Sequence, residues 1–265
     1  MTELQLRILT GTGLLVFAVA WLFWMPEPFF VGILALIGLL ASEELLRMLS
    51  MPRRLLFLTV AVMAWLGLFL AVPVAVALLW VMILWSLLTL VLVTEAKALP
   101  DAMTRLAWAQ WMMGWLILFA WSLVDMHGRN HGLWLVAGTC AGVWVADIAA
   151  YFTGKRWGKH KLCPAISPGK TIEGIVGGLI GGTLAAMTVW LWGLNAPWWT
   201  ALPLAVLLVC CAILGDLNES ALKRAVGVKD SGRILPGHGG FLDRMDALLP
   251  AIPMVAALSP WCLGV

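Results

Sequence analysis

Long apolar runs separated by short polar or Gly/Pro clusters organise the chain, without the two-residue alternation of half-buried strands. A helix needs roughly 20 apolar residues to cross the hydrocarbon of a bilayer. Such runs fall near 8–24, 28–41, 55–72, 74–93, 108–123, 132–153, 174–194, 199–215 and 246–263, which predicts about nine transmembrane helices. Between Leu55 and Val93 no charged residue occurs in 39 positions, twice what one helix requires, and Pro73 marks the turn between two spans. The second run is short and leads into Glu43, Glu44 and Arg47, so it reads either as a span or as a re-entrant or interfacial segment. The first run carries Arg7 ahead of it and the small-residue stretch Ala18-Val19-Ala20, as a signal peptide would. It continues to Trp24, long for a signal core, and is expected to be an uncleaved span.

Composition removes the soluble alternatives. Of 265 residues, 62% are hydrophobic and 12% charged, against about half and about a quarter in a soluble domain. The expected class is an all-α polytopic integral membrane protein; long runs rather than alternating ones exclude an outer-membrane barrel. The net charge of +3 names no partner, and no nucleic-acid partner is expected. The distribution of charge says more: with nine spans, every one of the 17 Lys and Arg residues except Arg129 falls on one side. The positive-inside rule then places the N-terminus in the cytoplasm and the C-terminus outside. A bacterial inner (plasma) membrane is the expected location. Five cysteines with no C-x-x-C pair support neither a disulfide framework nor a zinc site. The 17 Trp residues read as interface belts and lipid-facing packing.

Three regions follow: N-terminal transmembrane helices over 1–107, middle helices over 108–140, and a C-terminal region over 141–265 with two long cytoplasmic loops, 154–173 and 216–245. Those loops hold most of the unusual polar residues. If the eighth helix runs past the membrane boundary, Asp216, Ser220 and Lys223 or Arg224 share one face, with Glu219 beside them. Asp243 and Asp246 lie three apart after a Gly-rich turn that lets backbone approach a ligand. Carboxylates mixed with Lys, Arg and Ser suit Mg²⁺ held together with a polyphosphate. The bland alternative is a solvated loop whose charges pair among themselves. Asp147 lies in the sixth span, about 10 Å inside the helix end at 1.5 Å per residue, where an ionisable group is either functional or ion-paired.

Gly169-Lys170-Thr171 looks like the end of a phosphate-binding P-loop, but the position five before Gly169 is Pro164 and no strand is expected there. The turn can bind phosphate through Lys170, Thr171 and the helix N-terminus, or it can be simple capping by Thr171 or Glu173. His127 and His131 read as a polar loop. His238, between Gly237 and Gly239, stays a candidate.

From Ser220 to Asp246 the chain reads Ser220-x-Leu222-Lys223-Arg224, four residues, Lys229-Asp230-x-Gly232, two residues, Leu235-Pro236-x-His238-Gly239-Gly240-Phe241-x-Asp243-Arg244-Met245-Asp246. This resembles, position for position, the signature of phosphatidate cytidylyltransferases, also called CDP-diacylglycerol synthases. Gly215 to Ser220, Ser167 to Gly174 and the stretch from Asp147 through Tyr151 to Gly154 look like family features too. The resemblance covers about 147 to 246 and carries nothing specific to the first 140 residues.

The resemblance implies a polytopic, homodimeric enzyme that converts phosphatidate and CTP to CDP-diacylglycerol and pyrophosphate with Mg²⁺, a second cation being compatible with it. By motif, Asp216, Asp243 and Asp246 are the metal-binding carboxylates. Ser220, Lys223 and Arg224 line the same cavity, and Lys170, Lys229 and His238 contact phosphates or nucleotide. Asp147 and Thr171 join the candidate substrate-binding set, while Asp216, Lys223, Asp243 and Asp246 form the candidate catalytic set. Two other readings stay open: a CTP-dependent lipid kinase of the polyprenol type, which the full signature disfavours, and a cation-coupled transporter. Against the transporter, the polar cluster lies on loops and no paired broken helices occur in two similar halves.

Overall fold

A computed structural model describes residues 3–51, 54–70, 73–95, 99–232, 234 and 239–265. His238 and Lys97 therefore lie outside the described residues. Among the described residues, the regular structure is helical apart from one small hairpin. Its elements are α1 (Glu3–Trp24), α2 (Glu27–Met48), α3 (Arg54–Phe69), α4 (Val74–Glu95), α5 (Leu99–Gly128), α6 (Gly132–Trp157), β1 (Lys161–Cys163), β2 (Ser167–Thr171), α7 (Ile172–Leu194), α8 (Trp198–Ala225), α9 (Leu242–Met245) and α10 (Leu248–Cys262). Among the described residues, five helical stretches are long and apolar enough to cross a membrane: Glu27–Met48, Asp101–Gly128, Gly132–Trp157, Ile172–Leu194 and Trp198–Ala225.

Several helices outrun the apolar runs that predict them, because charges pair along the helix. The run at 28–41 is part of a continuous 22-residue helix of about 33 Å. α2 continues through its acidic pair because Glu43 meets Arg47 one turn on at 2.8 Å, while Glu44 is buried. The Asp101–Arg105 pair at 3.0 Å and the Asp125–Arg129 pair at 2.5 Å extend α5 at its two ends in the same way.

The chain divides into two compact units, Met1–Trp121 with Ala225–Arg244, and Ser122–Arg224 with Met245–Val265. In the first, Trp21 stacks on Phe30 at 4.9 Å and donates its indole N–H to the Phe30 carbonyl at 3.2 Å, closing the α1–α2 turn. Gly38 of α2 leaves room for the Trp65 ring of α3, whose N–H reaches the Ser42 hydroxyl at 3.1 Å. Arg105 caps the C-terminus of α2 through the carbonyls of Leu49 and Ser50 at 3.2 and 3.3 Å.

In the second unit, α6 and α7 run antiparallel along a seam of small residues. Gly142, Ala146, Ala150 and Gly154 recur every four residues on α6, and Gly174, Gly178, Gly182 and Ala186 do so on α7. A Cβ at Gly178 would lie 2.9 Å from the Ala146 carbonyl oxygen, and one at Gly182 would lie 2.6 Å from that of Gly142, so the backbones touch. Helices in lipid gain little from apolar burial and associate by such close packing. The loop expected at 154–173 is instead partly ordered as the antiparallel β1–β2 hairpin, with Lys161 opposite Thr171 and Cys163 opposite Ser167.

Tryptophan is used in two ways. Trp65, Trp85 and Trp190 are fully buried, the last donating to the Leu135 carbonyl at 3.2 Å, so packing inside the fold adds to the expected belts. In the second unit the exposed Trp192, Trp198, Trp199 and Trp261 cluster at helix termini, the placement of an interfacial belt. All five cysteines are free thiols.

Candidate active site

Within the second unit, a cavity of about 590 Å³ is bounded by α6, α7, α8 and the hairpin. Asp147, Tyr151, Lys161, Lys170, Thr171 and Asp216 line it, and Gly154, Gly174 and Gly178 form part of its wall. Each polar group arrives from a different element for a local reason. Thr171 ends β2 and is the N-cap of α7, its Oγ1 accepting the Gly174 N–H at 3.1 Å. Glu173 does not complete a capping box. It reaches back to the Lys159 N–H at 3.1 Å and to His160, whose Nδ1 lies 2.7 Å from its carboxylate. That clasp and the Ile172 N–H to His160 carbonyl bond at 2.9 Å tie the hairpin to the start of α7. Lys170 is thereby carried on an ordered strand.

The eighth helix does continue past Gly215, to Ala225, so the face expected from helical spacing exists. Lys170 forms an ion pair with Asp216, and the Ser220 hydroxyl lies 3.4 Å from Asp216 Oδ1. Lys223 pairs with the buried Glu219 at 3.4 Å. Arg224 turns to the hairpin and donates from Nε to the Ile166 carbonyl at 3.2 Å. Gly215 packs closely against the start of α10 and against Asp246 just before it. A Cβ there would lie 2.8 Å from the Pro250 ring and would clash with the Asp246 carbonyl oxygen. This contact sets Asp246 beside Asp216.

Asp246 accepts the Ala247 N–H at 2.8 Å and shares a hydrogen bond with Glu219. Burial and the nearby Asp216 carboxylate push its carboxyl above the ordinary aspartate range, against the opposing pull of Glu219 and Lys223. Asp216, Glu219 and Asp246 are hard oxygen donors, with Asp216 and Asp246 repelling each other while Lys170 pairs with Asp216 and Lys223 with Glu219. Such a set fits a hard divalent cation, which characteristically takes one or two carboxylates and completes its shell with phosphate oxygens and water. Among the described residues, no three His, Cys, Asp or Glu side chains form a ready-made metal cage.

The remaining described candidates, Asp243 and Lys229, lie in the first unit. Asp243 accepts the Ser231 N–H at 3.0 Å and the Gly240 N–H at 2.9 Å, so it clasps the two ends of the signature loop, and Lys229 is exposed on that loop. Glu44 and Glu219 are buried acids that motif reading leaves out of the candidate set. Glu219 was legible as the neighbour of Ser220 on a helix; Glu44 carries no motif, only its place at the end of an apolar run.

The model of the cytidylyltransferase family matches residues 5–261, and the chain belongs to that family of nucleotidyltransferases. It is similar to the phosphatidate cytidylyltransferase of Pseudomonas aeruginosa, 37% identical over 98% of both chains. It is also 45% identical to the phosphatidate cytidylyltransferases of Staphylococcus saprophyticus and Staphylococcus aureus strain COL, over 131 residues that cover about half of each chain.

Proposed function

We propose that this chain transfers the cytidylyl group of CTP to phosphatidate, giving CDP-diacylglycerol and pyrophosphate. The observation that carries the reading is the Lys170–Asp216 ion pair in a cavity walled by membrane-length helices, with Asp246, Glu219 and Lys223 in the same unit. An oxygen of the lipid phosphate forms a bond to the α-phosphorus of CTP as the bond to the β-phosphate bridging oxygen breaks, and pyrophosphate leaves with the electron pair. Phosphatidate is already anionic near neutral pH, so no base has to remove a proton from the nucleophile. Lys170, Lys223 and Arg224 hold phosphate oxygens and offset charge as it shifts to the leaving group. Asp147, Thr171, Ser220, Lys229 and His238 complete the substrate-binding set by family resemblance.

Asp216 and Asp246 would hold Mg²⁺, with Asp243 added by the resemblance; when bound, the ion neutralises phosphate charge and helps orient the reacting groups. Lys170, paired with Asp216 in the structure, would engage phosphate through its ammonium group. The reading further places the site at the cytoplasmic face of a bacterial inner membrane, in a homodimer. The asymmetry of Lys and Arg supports that side, as does the supply of CTP there.

The test uses purified protein in mixed micelles with phosphatidate, Mg²⁺ and CTP labelled at the α- or the γ-phosphate in parallel. Lipid labelled only from α-labelled CTP, with γ-label released as pyrophosphate, is the expected result. Transfer of γ-label to an added lipid alcohol would replace this reading with a lipid kinase. The side of the membrane is checked with Cys163 as the sole cysteine: an impermeant maleimide should react in inverted vesicles and not in intact cells.

A further inference from the structure

Glu44 sits in α2, far in sequence from the signature, and is 3% exposed. Burying a carboxylate is costly unless hydrogen bonds replace its water, and an apolar side chain would fill the same space more cheaply. The bonds it makes all go to the signature loop. Oε2 accepts the Leu242 N–H at 3.1 Å and the Ser231 hydroxyl at 3.5 Å. Gly232 and Gly240 flank the carboxyl group so closely that a Cβ on either would lie 2.7 Å from Glu44 Cδ. Asp243 takes the complementary donors, the N–H groups of Ser231 and Gly240. Ser231 thus gives its amide to one carboxylate and its hydroxyl to the other, and Gly240 gives its amide to Asp243 while packing on Glu44.

We propose that Glu44 is a positioning residue for cytidylyl transfer: from α2 it fixes Ser231 and the segment from Gly240 to Leu242, and through them the place of Asp243. The inference rests on the cytidylyltransferase reading of the signature segment. It assigns a function-bearing side chain to the N-terminal helices. A group that acts by holding another in place affects the rate of transfer in folded enzyme, since misplacement by about 1 Å can cost on the order of a hundredfold.

The experiment compares Glu44→Leu, Glu44→Gln and Ser231→Ala with wild type in the α-label assay, alongside Tm in detergent and hydrogen exchange over 229–244. Folded Glu44→Leu should lose about tenfold or more in kcat, with little change in KM for phosphatidate and faster exchange at Leu242. Glu44→Gln keeps an acceptor for the Leu242 amide and should recover most of the rate. Ser231→Ala should lower kcat by about threefold, the effect of one hydrogen bond. A folded Glu44→Leu enzyme with wild-type kcat, or Gln no better than Leu, overturns the inference. If Glu44→Leu does not fold, an unchanged kcat in Ser231→Ala overturns it instead. Wild-type enzyme that transfers no α-label would remove the function itself, whereas normal wild-type transfer with an undiminished Glu44→Leu removes Glu44 alone.

Discussion

Lys170 on β2 and Asp216 on α8, 46 positions apart in sequence, meet as an ion pair in the cavity of the second unit. Each neutralises the other in the absence of ligands, and each is of the type needed when ligands arrive, an ammonium for phosphate and a carboxylate for a divalent cation. The pair stores the charges of the site in a form that is cheap to keep half-buried.

Lys170→Ala should therefore lower kcat/KM for CTP by about 10²–10³, the loss expected when a preorganised charge facing a phosphoryl centre is removed. Lys170→Arg should fall between, since the planar guanidinium keeps the charge without the compact ammonium. Steady-state kinetics in mixed micelles decides; an unaffected Lys170→Ala enzyme would detach the hairpin from catalysis.

Asp246 makes a prediction in which activity and stability move in opposite directions. Its pKa is raised in the folded protein by burial and by Asp216, so the fold favours the protonated form. The corresponding stabilisation is present below the ordinary aspartate range and is lost as pH rises through the folded-state value. At neutral pH the ionised group is a burden unless a cation joins it. Asp246→Asn should abolish transfer and raise the Tm of metal-free protein. Added Mg²⁺ should stabilise wild type and not the variant. Near wild-type turnover would remove Asp246 from the site.

Thr171 serves α7 as its N-cap, independently of any ligand. Thr171→Val removes the oxygen that accepts the Gly174 amide and should cost about 1 kcal/mol of stability, whereas Thr171→Ser should cost little. Thermal unfolding of the two variants side by side separates the cap from the side chain's shape.

Gly182→Leu places a side chain where the Gly142 carbonyl and Ala146 already lie. Overpacking of this kind costs at least about 1–3 kcal/mol, and the variant should elute from size exclusion largely as aggregate. A monodisperse, active Gly182→Leu protein would show that α6 and α7 separate more readily than their contact implies.

Hydropathy alone exposed the helical membrane class, because burial in lipid demands runs that no soluble fold can hide. Helical spacing exposed the face of α8 that carries Asp216, Ser220 and Lys223. Other features were less accessible. The hairpin at 161–171 is short, Gly- and Pro-containing and half-exposed, so no period marks it. Glu44 is invisible to motif reading because its partners, the Leu242 amide and the Ser231 hydroxyl, lie nearly 200 positions away. Charge next to an apolar run reads as the end of a span, when here it is buried. The four-residue spacing of Gly174, Gly178 and Gly182 is written plainly in the chain, but its meaning depends on a partner helix with the same spacing.

That shared spacing ties two properties to the same atoms. Gly154, Gly174 and Gly178 allow α6 and α7 to touch, and they also form part of the wall of the cavity. Nothing smaller can replace them and anything larger intrudes on both, so tolerance at these positions is one-sided. Volume added there is counted twice, once as lost helix association and once as lost room for substrate. A variant that trades one for the other is not available along this edge of the fold.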